Sequence, residues 1–188
     1  MSEPVSVRLP GGIGLLRELP AGTAVLLSGP VFAARDATHA RIVEELERTG
    51  ELPHGLQGQT LFYAGPTPPK AGRPAGAVGP TTARRMDAWT PRLLAAGIAA
   101  TIGKGARSAA VREACAEHDA VYLAAVGGAA ALLATRVTAI EVVAYPELGT
   151  EALARMELAD FPAWVAIDAG GDDLYASARH EWASGGIA

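Results

Sequence analysis

The order of apolar and polar positions divides the chain into alternating elements. TAVLLSG, Thr23 to Gly29, is a continuous apolar run closed by glycine, which predicts a buried strand. ARDATHARIVEELERTG follows, with Ala40, Val43 and Leu46 recurring on one helical face. Asp36 fits the N-cap of that helix and Gly50 the residue just past its end. QTLFYAGP, Gln59 to Pro66, predicts the next strand. TPPKAGRPAGAVGP lacks any core pattern and reads as a binding or covering loop. A helix is expected from Thr81 or Thr82, and another from Pro91 after a Thr90 cap. GIAATIGKG then predicts a strand, SAAVREACAEHD a helix capped by Ser108, AVYLAAVGG a strand and GAAALLATRV a helix. AIEVVAYPELG predicts a strand and turn, EALARMEL a short helix, and FPAWVAIDAGGDDLY a closing strand pair with Asp172 and Asp173 in its turn. This alternation predicts an α/β fold. No repeat or long linker divides the chain, so residues 1–188 form one expected domain, with residues 1–20 as an extended N-terminal segment.

Composition narrows the function. Apolar residues make up 49% of the 188 and charged residues only 19%, as in a well-filled globular chain. A net charge of -4 speaks against an electrostatic nucleic-acid footprint. Cys115 is the single cysteine, so this chain has neither an intrachain disulfide nor a cysteine set for zinc or iron–sulfur. It lies in a helical pattern and reads as a buried small hydrophobe. The four histidines are scattered singly. No signal peptide or membrane span is legible, and a cytoplasmic protein is the expectation.

Candidate chemistry gathers at three cation-bearing turns. GPTTARRMD, Gly79 to Asp87, sets Thr81 and Thr82 before Arg84 and Arg85. On a helix Thr81 and Arg85 would share a face, placing a hydroxyl beside a guanidinium at a helix end that favours anions. A threonine cap with solvated arginines explains the same residues. Lys104 sits between glycines at a strand end, fitting either a ligand-facing cation or an exposed turn. Arg35 follows the apolar SGPVFAA, where a solvated cation is unexpected, and His39 lies four residues on. The double glycine of VGGAAALLA reads as tight packing rather than a phosphate cradle. Together the three turns point to a small polyanionic, nonaromatic ligand. Spacing alone does not give a reaction.

The motifs also occur in a telling order. SGPVFAARDATHARIVEELERTGELP, LFYAGPTP, VGPTTARRMD, IGKG, AVYLAAVGGAAALLA, YPELGTEAL and DFPAWVAID follow one another. This series resembles the C-terminal, or β, portion of class I fumarases and the related L-tartrate dehydratases, over about residues 20–176. The resemblance implies a swivelling β/β/α domain and an iron–sulfur hydro-lyase acting on a dicarboxylate. In that family some members are split, with a [4Fe-4S] cluster on a larger α chain. The length and missing cysteines of this chain match the β subunit, expected in αβ pairs that build a larger oligomer. By the same resemblance Thr81 is the base for the C3 proton, with Arg85 and Lys104 in the catalytic site. Arg35 binds a substrate carboxylate, and Asp36, His39 and Thr82 support substrate binding. Malate/fumarate interconversion is the expected reaction, with tartrate or mesaconate-type dehydration as alternative. A non-catalytic assembly or regulatory subunit is the alternative of another class, and a free-standing small-anion domain a third. Two departures stand out: Arg84 where the family often has glycine, and Phe32-Ala33-Ala34 where it often has Tyr-Thr-Ala.

Overall fold

The strands close into a barrel. A computed structural model describes residues 3–69 and 71–185, so Met1 and Ser2 of the N-terminal segment and Lys70 of the Pro/Gly loop lie outside the described residues. Strands β1 (Val5–Arg8), β2 (Ala24–Ala33), β3 (Thr60–Phe62), β4 (Ala100–Gly103) and β5 (Val121–Ala124) pair parallel, each with the next. β6 (Val137–Ala144) lies antiparallel to β7 (Leu153–Ile167). β7 pairs antiparallel with β5 and also with β2. The ring β2–β3–β4–β5–β7 is thereby a closed five-strand barrel, with β1 and β6 as flanking strands. At Gly29 β2 bulges against β7 with φ +104, and a Cβ there would lie 2.3 Å from the Leu9 carbonyl oxygen. Only glycine fits that bend.

The helices are α1 (Ile13–Glu18), α2 (Asp36–Thr49), α3 (Thr90–Ala95), α4 (Ala109–Glu117), α5 (Ala130–Leu133) and α6 (Leu174–Ala183). Alternate strand residues feed two cores. Phe62, Ile102, Val121, Leu123 and Phe161 belong to one, and Leu61, Tyr63, Tyr122 and Ala166 to the other. Phe62 of β3 meets Phe161 of β7 edge to face at 5.3 Å, although the two strands are not neighbours. That contact spans the inside of the barrel, so the first core fills it. The second lies outside, beneath Ile42, Val43, Leu93, Leu94, Val111 and Cys115 of α2, α3 and α4.

The mixed α/β expectation holds, with three corrections. Residues 1–20 are extended only in part: Val5–Arg8 forms the edge strand β1, as an extended segment can, but α1 is helical and buries Ile13 and Leu16. EALARMEL is not a helix, because Leu153 to Leu158 is the start of β7. Met156 and Leu158 are buried while Arg155 is exposed, a period-two pattern. Pairing with β2 on one side and β6 on the other overrides the helix propensity of Glu, Ala and Leu. The closing strand pair is one strand and a helix. Asp173 accepts hydrogen bonds from the Tyr175 and Ala176 amides and caps α6. Among the described residues, no helix is long and apolar enough to cross a membrane.

Candidate functional site at the carboxyl ends of the parallel strands

Parallel pairing in register brings strand ends to one rim. Ala33 of β2 stands beside Phe62 of β3, Phe62 beside Ile102 of β4, and Gly103 beside Ala124 of β5. The residues that follow, Arg35, Tyr63 to Gly65, Lys104 and Gly127, leave the barrel together. Ligand crevices of parallel sheets form at such ends.

The GPTT stretch is sewn into this rim by its backbone. The Thr81 amide donates to the Tyr63 carbonyl at 2.6 Å, and the Lys104 amide donates to the Thr81 carbonyl at 3.2 Å. The Ala83 amide donates to the Lys104 carbonyl at 2.9 Å, and Thr82 pairs with Lys104 as a parallel bridge. Thr81 is thus extended chain rather than a helix start. The helix that follows is a single 3-10 turn, Ala83–Met86, entered through Thr82 without a side-chain cap. The Thr81 and Ala83 amides are already spent on carbonyls, and four residues make little dipole. An anion site at a helix end is therefore not what this stretch forms. Thr82 is exposed and Thr81 half-buried.

The cations arrive with partners. Arg85 holds Asp36 in a two-point fork, Nε to Oδ1 at 3.0 Å and Nη2 to Oδ2 at 2.6 Å. Asp36 is consequently not the cap of α2; Arg35 occupies that position. The N-terminus of α2 is served instead by Glu151, whose Oε2 accepts the Ala37 amide at 2.9 Å. Glu151 Oε1 also lies 3.4 Å from Arg35 Nη2. Arg35 Nε is buried without a hydrogen-bond partner, leaving that arginine with donor capacity to spare. Its side chain packs where a Cβ on Gly65 would fall 2.7 Å from Nη1. Lys104 has no carboxylate partner within 4.0 Å among the described residues, and its side chain lies across Gly127. Beside it opens a hollow of about 470 Å³ walled by Ala124 to Gly127, Trp164, Leu174 and Tyr175.

His39 does not reach the rim surface. It is 0% exposed, and its Nδ1 donates to the Arg35 carbonyl at 2.8 Å, which leaves Nε2 as an acceptor with no partner. Burial lowers its pKa from 6.5 to about 4, so the ring is neutral at pH 7. It packs edge-on against Tyr63 at 5.1 Å and beside Trp89. Its geometry supports the α2 entry that carries Arg35.

Two contributors escaped the sequence. Glu151 lay in a segment expected to be helix. Arg107 carried no signal beyond its closeness to Lys104, yet its side chain is 0% exposed and pairs with Asp87 at 2.7 Å. Burial opposes its charge, but Tyr63 and Asp87 outweigh that and hold the guanidinium more firmly protonated than usual.

The family model described as fumarase C-terminus matches residues 7–178. The chain belongs to the fumarase C-terminus family. The domain is 40% identical over 162 residues to the anaerobic class I fumarate hydratase of Escherichia coli strain K12, covering 85% of this chain and 30% of that protein. Fumarate hydratase 2 of Leishmania major is also 40% identical, over 85% of this chain and 28% of that protein. This fumarase C-terminus domain therefore spans about 30% of the length of those relatives. A Methanocaldococcus jannaschii protein provisionally named L(+)-tartrate dehydratase subunit beta is 35% identical over 166 residues, 85% of each chain.

Proposed function

We propose that this chain is the β half of a two-chain iron–sulfur hydro-lyase for a small dicarboxylate, with malate and fumarate as the substrate pair. The observation that carries it is the joining of Thr81, Arg85, Lys104 and Arg35 on one rim of a fumarase C-terminus domain. The five-strand barrel with helices on its outer face supports the swivelling β/β/α class. The β-subunit role is supported by the archaeal relative, which matches this chain over 85% of both lengths.

An iron–sulfur cluster, which the family implies, does not fit this chain's own residues. Cys115 is buried, with its thiol pushed up to about 12, and no group of three or more His, Cys, Asp or Glu among the described residues could hold a metal. The cluster belongs, in this proposal, to an α partner. What this chain contributes is the proton side of the reaction. Thr81 Oγ, as alkoxide, takes the C3 proton. The C–H electron pair moves toward the adjacent carboxylate, where cationic donors stabilise the charge, and its return to form the C2–C3 double bond expels the C2 hydroxyl, whose departure the partner's cluster would assist. Arg85 and Lys104 supply the positive charge that a threonine alkoxide needs, since the helix end does not. Arg35 binds a carboxylate through its guanidinium, beside Glu151. Asp36 orients Arg85 through its fork, Thr82 lines the rim, and His39 acts from beneath.

The archaeal relative's name favours a second substrate reading, L-tartrate dehydration. The test is anaerobic co-expression with a cluster-bearing partner chain, following malate-to-fumarate conversion by ultraviolet absorbance with tartrate alongside. Activity is expected only in the mixture, and Thr81→Ala should lower it by about 10²–10⁴-fold with assembly intact. Near-normal turnover by that variant would remove Thr81 from the base role. An assembled, cluster-loaded pair that turns over neither substrate would remove the substrate assignment.

A further inference from the structure

The loop that carries Lys104 and the turn that carries Arg85 touch through backbone at the rim, but beneath it a buried side-chain clasp joins them. Arg107 lies three residues after Lys104, and Asp87 two residues after Arg85. Arg107 Nε donates to Asp87 Oδ1 at 2.7 Å, and Asp87 Oδ2 accepts the Ser108 amide at 2.6 Å. Arg107 Nη2 donates to Thr90 Oγ1 at 2.7 Å. Thr90 gives its own proton to the Met86 carbonyl at 2.9 Å, so the Tyr63 hydroxyl donates to Thr90 at 3.1 Å. The guanidinium lies over the rings of Tyr63 and Tyr122, at 5.2 and 4.7 Å. Tyr122 in turn donates to the Gly105 carbonyl at 2.8 Å. One guanidinium thus ties together Tyr63 just after β3, Tyr122 within β5, Thr90 at the start of α3 and Asp87 just past the 3-10 turn, and its side chain reaches no solvent.

We infer that Arg107 and Asp87 are positioning residues that set Thr81 and Arg85 against Lys104. A buried charge pair is not needed to hold these segments together, since apolar groups of similar size would serve as well or better. Its distinct property is directional: a planar fork with two short hydrogen bonds fixes distance and angle, which a methyl contact does not. The residues it fixes are those whose relative placement a proton transfer requires, and misplacement by about 1 Å costs on the order of 10²-fold in rate. Lysine at 107 keeps the charge but loses the fork.

The test uses the full chain, alone and in its assembled pair, as wild type, Arg107→Lys, Asp87→Asn and the double variant. Native-state amide exchange reads the clasp without any activity. In the single variants the Thr81, Ala83 and Lys104 amides should exchange at least about tenfold faster, while the Val25 and Leu27 amides of the β2–β7 ladder keep their rates. The double variant should add little, because one clasp is already open. In the active pair kcat should fall about 10²-fold in each variant, with the cluster and assembly retained. The kinetic arm rests on the function proposed above, and the exchange arm does not. A wild-type pair without activity therefore overturns that function, while exchange still decides the clasp. Acceleration of all amides alike, or none at the rim, would overturn the inference and leave Arg107 as an ordinary stabilising residue. Should Arg107→Lys fail to fold, Asp87→Asn, which is nearly isosteric, carries the same measurement.

Discussion

Substituting Gly103 by alanine should expose how tightly the rim is built. Gly103 closes β4, immediately before Lys104. Its φ lies outside the left-handed region, so alanine is allowed by the backbone and the effect is one of space. An added Cβ would stand 2.8 Å from the Ala83 Cβ and 2.9 Å from Tyr63 Cδ2. Both neighbours are 0% exposed and cannot swing into solvent. Overpacking of this kind costs about 1–3 kcal/mol. For a chain of this length each kcal/mol lowers Tm by roughly 2–4 °C, so a fall of about 2–12 °C is expected. Thermal and urea melts of the single variants and of Gly103→Ala with Ala83→Gly form a double-mutant cycle. Removing the Ala83 methyl should recover part of the loss, leaving the Tyr63 contact unrelieved. Gly105→Ala is the control: nothing lies within 4 Å, but φ is +82. Its cost is backbone strain of roughly 1–2 kcal/mol, which Ala83→Gly should not relieve. A Gly103→Ala protein melting within about 1 °C of wild type would refute the reasoning. So would equal rescue of both variants by Ala83→Gly.

Three further outcomes are expected. His39 has a folded pKa of about 4 against 6.5 unfolded, so its contribution is full above pH 6.5 and drains away as pH falls toward 4. The loss is on the order of 3 kcal/mol; His39→Met should flatten that limb of the stability profile, and an NMR titration of His39 near 6.5 would contradict the assignment. Asp36→Ala removes a partly exposed pair, so stability should change by about 1 kcal/mol or less. In the αβ pair proposed above, hydro-lyase activity should nevertheless drop about tenfold or more as Arg85 loses its fork, and unchanged activity would release Asp36 from that role. Cys115 is buried, and burial pushes its thiol up to about 12. A thiol reagent at pH 8 should label it only at the rate of unfolding, whereas rapid labelling of native protein would show an open path to the helix layer.

Much of the architecture was legible because it rests on local pattern. The apolar run at Thr23 to Gly29 is a strand, and α2 ends at Gly50 in the left-handed conformation expected of a glycine there. α4 starts from Ser108 as its spacing predicts, although that hydroxyl makes no capping bond. The exceptions are informative. Leu153 to Leu158 carries helix formers but is held as strand between β2 and β6, neighbours that lie far away in sequence. Asp36 looks like a cap from any local window, and Glu151 takes that work from 115 positions away. Arg107 has no distinguishing neighbour in sequence, because its short hydrogen bonds go to Asp87 and Thr90, 20 and 17 positions away.

By itself the sequence determined the α/β character, the positions of the cation-bearing turns and, through the order of its motifs, the family. Residue type and short-range spacing are enough for these, since helix faces, strand runs and motif identity are properties of neighbouring residues. Closure of the barrel was a tertiary decision, because a second pairing of β7 is a contact between distant segments. So was the state of each candidate. Arg85 is held by Asp36, Arg35 lies against Glu151, Thr81 is extended rather than helical, and His39 is sealed from solvent. Charge pairing and burial depend on which side chains meet in space, and parallel strands bring together ends that the chain itself keeps far apart.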